Sequence, residues 1–419
     1  MSKPTEPFVV MMTLDRETSS VVLTRSDGKE ARQPMMRPPF ASTSLLARLH
    51  YAPSLGGLLA VTRNGDEVAF ELPARGRSNQ LERRLVVYLD QNMWRPVSDA
   101  LQGGSTVGRR DRDAAEQLAE WVRCRRIVLP ASAGHYHETT KWSLTDKRYR
   151  LGLTILQLSR GWQMRDPLQV RRDEIGGMFR CWLGTTDDAR AASVFTLAPN
   201  SLHSPSRLVP YSPPSDFSAD DAFRLAALTS ASAYIDVMLD AERVEPGPEP
   251  GWVQVNQQFS DWLDAQKWDS QQKRRSIDAL LFADLRRELA EEAHAAGLSQ
   301  QELQQWAQKQ PMKGFSALPA TGLYREMLHN RHLNRGTQWE KNDLTDMLYL
   351  SCAAGYADFV VCERHMREPL ERGVRRLGLP TKVFRRLSEA VAALGDALEQ
   401  QAPNNDVRTD READVPGHG

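Results

Sequence analysis

The sequence predicts an α/β protein: a parallel sheet, a large helical insertion and a small β-rich N-terminal unit. Three observations lead there. Short apolar runs rich in β-formers alternate with helical stretches over residues 85–150 and again over 336–401, the pattern of a parallel sheet covered on both faces. The first 80 residues carry strand-like runs instead. The interval 151–335 is mainly helical in period and too long for one loop.

The elements follow in order. "FVVMMTL" and "SSVVLTR" read as strands, and "GLLAVTRNGDEVAFEL" as a hairpin whose Asn64-Gly65 suits a type I′ turn. "PARGRSNQ" (73–80) is a polar linker, and nothing in residues 1–80 resembles a catalytic site. Residues 85–89 form a buried strand ended by Asp90; a helical stretch lies near 111–124, and "RRIVLP" (125–130) is a second short strand. Ser132 is placed to cap a helix carrying His135, His137 and Glu138. Within the insertion, "SAYIDVMLDAERV" and "SIDALLFADLRRELAEEAHAAG" are amphipathic, Ser299 and Glu302 form a capping box, and "PYSPPSD" and "EPGPEPG" punctuate helices. The sheet then resumes: a helix over 342–356, a strand over 357–363, a last strand in "TKVFRRL", and a helix to about 400. The units are therefore 1–80, a split core of 81–150 with 336–401, the insertion 151–335, and a tail, 402–419, too poor in apolar residues to fold. There is no internal repeat.

Composition narrows the function classes. Lys plus Arg and Asp plus Glu both number 54, so the net charge is zero and any nucleic-acid contact must come from a local basic patch. Four cysteines without a CxxC pair suggest neither a zinc site nor a disulfide framework, and read as thiols in a reducing cytoplasm. The N-terminus lacks a signal-peptide apolar segment, and no run approaches the roughly 20 apolar residues of a membrane span.

The acids carry the chemistry. Parallel α/β sheets bind ligands beyond the carboxyl ends of their strands. Asp90 ends the first strand, Glu138 follows the second, Asp343 opens a helix, and Glu363 follows the strand at 357–362; Asp346, one turn beyond Asp343, reaches toward the same cleft. Asp358 starts its strand and points to the other edge. Two unit charges at 4 Å cost about 4 kcal/mol at an effective dielectric near 20, so such a cluster needs a cation. With no His or Cys set at ligand spacing, all-oxygen ligands favour Mg²⁺ or Mn²⁺, which can generate a hydroxide at a phosphodiester. Each acid also has a plainer reading: Asp343 as a helix cap, Glu138 as a first-turn acid favoured by the helix dipole.

"VVYLDQN", "LPASAGHYHET" and "NDLTDMLYLSCAAGYADFVVCER" together resemble the acidic motifs of the PIN-like nuclease superfamily. The resemblance covers 85–150 and 335–385 and implies a compact Rossmann-like sheet with Mg²⁺- or Mn²⁺-dependent cleavage of single-stranded RNA, less often DNA. It places Asp90, Glu138 and Asp343 in the first three acidic roles. The family's fourth motif, T-x-D/N, reads here as Cys362-Glu363-Arg364, so Glu363 is the nearest fourth acid and Asp346 shares its load. The catalytic set expected is thus Asp90, Glu138, Asp343, Asp346 and Glu363, with Asp90, Glu138, Asp343 and Glu363 on the metal.

Asn92, Lys341 and Arg364, beside the acids in sequence, are the substrate contacts expected. His135 and His137 read as second-layer groups or as buried polar contacts; Arg109, Arg110, Arg112 and "KRYR" (147–150) as phosphate contacts or as a solvated face; Trp339 as a base platform or as core. The reading is a cytoplasmic, metal-dependent endonuclease acting on nucleic acid, with no membrane partner. A homo-oligomer or a protein regulator is a further partner expected, and a bacterial toxin or antiphage setting comes by analogy. The rival from another class is a PIN-like scaffold or binding module whose acids are remnants.

Overall fold

A computed structural model describes residues 7–35, 44–52, 56–72, 81, 83–104, 107–141, 145–185, 193–198, 219–239, 251–309, 311–336 and 338–401. The linker 73–80, the two Pro-rich punctuations except Gly251, and the tail 402–419 lie outside the described residues.

The N-terminal unit is one antiparallel sheet of β1 (Val9–Asp15), β2 (Ser20–Arg25), β3 (Glu30–Pro34), β4 (Leu46–Ala52), β5 (Gly57–Thr62) and β6 (Glu67–Glu71), in the order β3-β2-β1-β4-β5-β6. The β5–β6 hairpin forms where Asn64-Gly65 places it, but its turn is not type I′. The Gly65 N–H donates to the Thr62 carbonyl and only Gly65 in the turn has positive φ (85°), whereas type I′ requires it at two central residues.

Next come β7 (Leu85–Leu89), α1 (Gln91–Leu101), α2 (Arg109–Arg123), β8 (Ile127–Val128), α3 (Ala133–Thr140) and α4 (Thr145–Ser159). The short β9 (Gln163–Met164) and β10 (Phe195–Thr196) pair with each other around α5 (Pro167–Trp182). The long helical stretch holds α6 (Ala219–Leu239), α7 (Gly251–Ala265), α8 (Ser270–Ala295), α9 (Gln300–Gln308), α10 (Pro311–Ser316) and α11 (Pro319–Leu333). The chain closes with α12 (Asp343–Tyr356), β11 (Phe359–Val361), α13 (Arg364–Leu377), β12 (Lys382–Phe384) and α14 (Leu387–Gln401).

The second sheet is wholly parallel, ordered β12-β11-β7-β8. Alternate residues of β7 serve opposite faces, as the pleat demands. Leu85, Val87 and Leu89, with Phe359 and Val361, pack toward a core shared with α1, α2, α4, α14 and the N-terminal sheet. Val86 and Tyr88, with Val128, Val360 and Val383, pack toward α5, α8, α11, α12 and α13. Helices α5 and α7–α11 therefore lie on one face of the parallel sheet, whereas α6 packs on the other side, in the core that α4 and the N-terminal sheet share. Helix α1 is absent from the sequence reading, because Gln91, Asn92 and Pro96 disguise a short helix whose buried apolar residues are only Trp94, Val97 and Ala100. No described helix is long and apolar enough to cross a membrane.

The chain leaves β7 for β8 on one side and later returns to β11 on the other. The gap between the carboxyl ends of β7 and β11 is thus the point where strand order reverses, the usual ligand crevice of an open parallel sheet.

Candidate functional site

Asp90 stands at that crevice. Its backbone N–H extends the ladder to the Val361 carbonyl (2.9 Å), and its carboxylate caps α1 by accepting the Gln91 N–H (2.9 Å). Burial pushes its pKa up to about 6, with the Glu363 carboxylate adding to the rise and the N–H groups of Gln91 and Glu363 opposing it. One residue earlier, the Leu89 carbonyl bonds Nε2 of His135 (2.9 Å), while the other ring nitrogen of His135 takes the Ser132 N–H (3.1 Å). That pairing makes Nε2 the protonated nitrogen and His135 the clamp on the strand end. The ring is buried, stacks on Tyr88, and is held neutral by desolvation, its pKa lowered to about 3.

Glu138 comes from α3, for which Ser132 is the cap, as the sequence placed it. Burial raises its pKa to about 7, the Asp90 charge adds to this, and Lys141 offsets part of it. Asp346 comes from the first turn of α12. Burial, then the charges of Asp90, Glu138, Asp343 and Glu363, push it up to about 8. Glu363, between β11 and α13, is more open and has Nδ1 of His365 at 3.2 Å. Four carboxylates from four segments therefore share one electrostatic neighbourhood. Tyr88, Asp90, Gln91, Gly134, Glu138, Thr345, Asp346 and Tyr349 are among the walls of a narrow cleft of about 10 Å³. That is about the room of one water-sized species.

Asp343 is placed differently. It is buried, with its carboxylate on Arg331 (2.5 Å) and on the Glu340 N–H (2.6 Å). Asp346, three residues on, lines the cleft in its stead. Asn92, Lys341 and Arg364 are exposed. Lys341 and Lys141 are close enough to His137 to lower its pKa after desolvation, so both lysines stand on the Glu138 side of the cleft. Arg364 and Arg385 line a broad depression on the Glu363 side. Trp339 is core: its indole N–H donates to Ser260 (2.9 Å) and its ring packs on His332. Asp358 lies at the opposite end of the sheet, accepting the Val86 N–H (2.7 Å).

Sequence reasoning overlooked Tyr88, Gln91 and Tyr349 as cleft walls. Tyr349 carries a usable signal, since it stands i,i+3 from Asp346 on α12. Among the described residues, no group of three or more His, Cys, Asp or Glu side chains is drawn together closely enough to hold a metal ion as it stands. No protein-family model, curated protein or solved structure matches the chain.

Proposed function

We propose that this protein is a divalent-metal-dependent nuclease of PIN-like type that hydrolyses phosphodiester bonds of single-stranded nucleic acid, RNA in preference to DNA. One observation carries the reading: the largely desolvated Asp90, Glu138 and Asp346, with the more open Glu363 at the rim, gather with fewer cations than carboxylates about them where strand order reverses. Structural acids are normally paired, whereas clustered acids with raised pKa values are a mark of functional sites.

The donor set fits Mg²⁺ or Mn²⁺: it is all oxygen, and its space matches one small species. Asp90, Glu138 and Asp346 would hold the ion, with Glu363 at the rim. When bound, such an ion supplies charge neutralisation and an acidified water for attack on phosphorus. The chain's own part is explicit. Asp90 is fixed by two backbone N–H groups. Glu138 and Asp346, whose pKa values burial and the neighbouring carboxylates raise, would be held ionised by the ion, and Glu363 at the rim would position the attacking water. Tyr88 and Tyr349 wall the cleft, and Lys141 and Lys341 offset the charge of an arriving phosphate.

The rival non-catalytic module draws support from the carboxylates' not standing at ligating distance. Labelled single-stranded RNA and DNA, incubated with Mn²⁺, with Mg²⁺ and with EDTA, separate the two. Cleavage that needs metal and is lost in Asp90→Asn supports the nuclease. Binding without cleavage supports the module, and cleavage in EDTA overturns the mechanism. A role in bacterial toxicity or antiphage defence follows only by analogy with such nucleases.

A further inference from the structure

A second concave site lies outside the acid cleft, between α1 and α4. It is a pocket of about 350 Å³ whose lining includes Arg95, Asp99, Gln102, Gly104, Lys147 and Arg150. Three cations face it against one carboxylate. Lys147 and Arg150 stand i,i+3 on α4, where like charges repel, and Arg95 adds a third positive charge from α1. The half-charge at the C-terminus of α1 opposes an anion here, but it is small beside three full cations.

The walls are built rather than loose. Gly103 has φ 76°, and the Gly104 N–H returns to the Asp99 carbonyl (2.7 Å), closing α1 with a left-handed cap. A Cβ on Gly104 would stand 2.7 Å from that carbonyl oxygen, so the wall depends on glycine. Arg112 holds the Gly104 carbonyl (3.0 Å) from α2. Gln102 ties α1 to α4 through the Arg150 carbonyl (3.1 Å) and Thr154 (3.2 Å), and Thr154 donates to Ser98 (3.0 Å).

We propose that this pocket binds a phosphate group, through Arg95, Lys147 and Arg150. Asn92, Arg95, Asp99 and Gln102 recur on one face of α1 at steps of three and four, and α1 begins at Asp90. From Asn92 to Asp99 the helix rises about 10 Å. The phosphate therefore comes either from a nucleic-acid strand that also crosses the acid cleft or from a free nucleotide. The proposal does not rest on cleavage at the acids.

The test uses the full chain in an Asp90→Asn background, so that no strand is cut, and compares K147E/R150E with R109E/R110E. The latter makes the same charge change on α2, where Arg109 is almost fully exposed. Inorganic pyrophosphate binding is read by calorimetry, single-stranded oligonucleotide binding by its salt dependence, and folding by thermal melts. We expect K147E/R150E to weaken pyrophosphate at least tenfold while R109E/R110E does not. If the strand is the source, the log–log salt slope for the oligonucleotide falls by about 0.7 per lost contact, about 1.4 in all. Loss of pyrophosphate binding with an unchanged slope identifies a free phosphate compound as the ligand. If neither probe distinguishes K147E/R150E from the control, the proposal is overturned.

Discussion

Two groups of buried acids in this protein end with pKa shifts of opposite sign. Between α8, α11 and α13, Asp278 accepts a bidentate pair from Arg325 (2.6 and 2.8 Å) and a bond from His329 (2.8 Å). Glu326 is surrounded by Arg274, Arg325 and Arg376. Burial pulls the pKa values of Asp278 and Glu326 upward, yet the net shift of both is downward because cations and donors face them. At the carboxyl edge of the sheet, Asp90, Glu138 and Asp346 shift upward because burial raises them and their charged neighbours, mostly other acids, add to the rise. The first arrangement stabilises the fold. The second costs stability unless a cation offsets it, the condition that the proposed metal site would meet.

The largest effect expected is on the helical side. Arg325→Ala leaves the Asp278 carboxylate buried without its main partner and should cost about 3–5 kcal/mol in urea unfolding. A loss below about 1 kcal/mol would remove the distinction between the two groups, since surface pairs contribute no more.

On the cleft side, Asp90→Asn should reduce metal-dependent cleavage about a hundredfold or more. Its melting temperature without metal should hold or rise, since a buried charge is removed while the side chain still accepts the Gln91 N–H. Unchanged cleavage rates would break the assignment of Asp90.

Next in size is a pH effect of opposite sign in the two groups. An acid whose folded pKa lies above its unfolded value imposes no penalty below the unfolded pKa. The penalty grows as pH rises and is complete above the folded pKa. For Asp346 that window runs from 3.8 to about 8. The metal-free protein should therefore lose stability from the cleft acids across it. Asp346→Asn should melt a few degrees higher than the parent at pH 8 and about equally near pH 4. Asp278 and Glu326 contribute the reverse: stability present above the ordinary carboxylate range and lost as pH falls through their lowered values. Melts of parent and Asp346→Asn at several pH values, in EDTA, test this; parallel curves would defeat it.

The smallest effect separates two neighbours on one helix. Asp343 is paired with Arg331, so Asp343→Asn should lose about 1–2 kcal/mol yet keep the rise in melting temperature that Mn²⁺ gives the parent. Asp346→Asn should gain stability without metal and lose most of that rise, which at a hundred times Kd reflects about 2.7 kcal/mol of stabilisation. Mn²⁺ shifts as large as the parent's in both variants would leave neither as a ligand.

Much of this architecture was written locally. Five apolar residues ended by an acid announced β7 and Asp90, because a buried strand has little other use for a carboxylate at its end. Ser132 and Ser299 announced their helices, because a cap acts on N–H groups within three residues. The parallel strands were legible because burial on both faces leaves an unbroken apolar run. Helix α1 was hidden because Pro96 and two polar residues at its start outweigh three buried apolar residues in any local reading. Which of Asp343 and Asp346 faces the cleft could not be read at all. Both sit in the first turn of α12, and the choice is made by Arg331, brought in on α11. The sequence alone therefore determined the strands, the caps and a supply of acids at strand ends, since these depend on neighbours along the chain. Tertiary structure decided which acids are neutralised and which are left facing one another, because a charge is governed by whatever lies within a few ångströms in space.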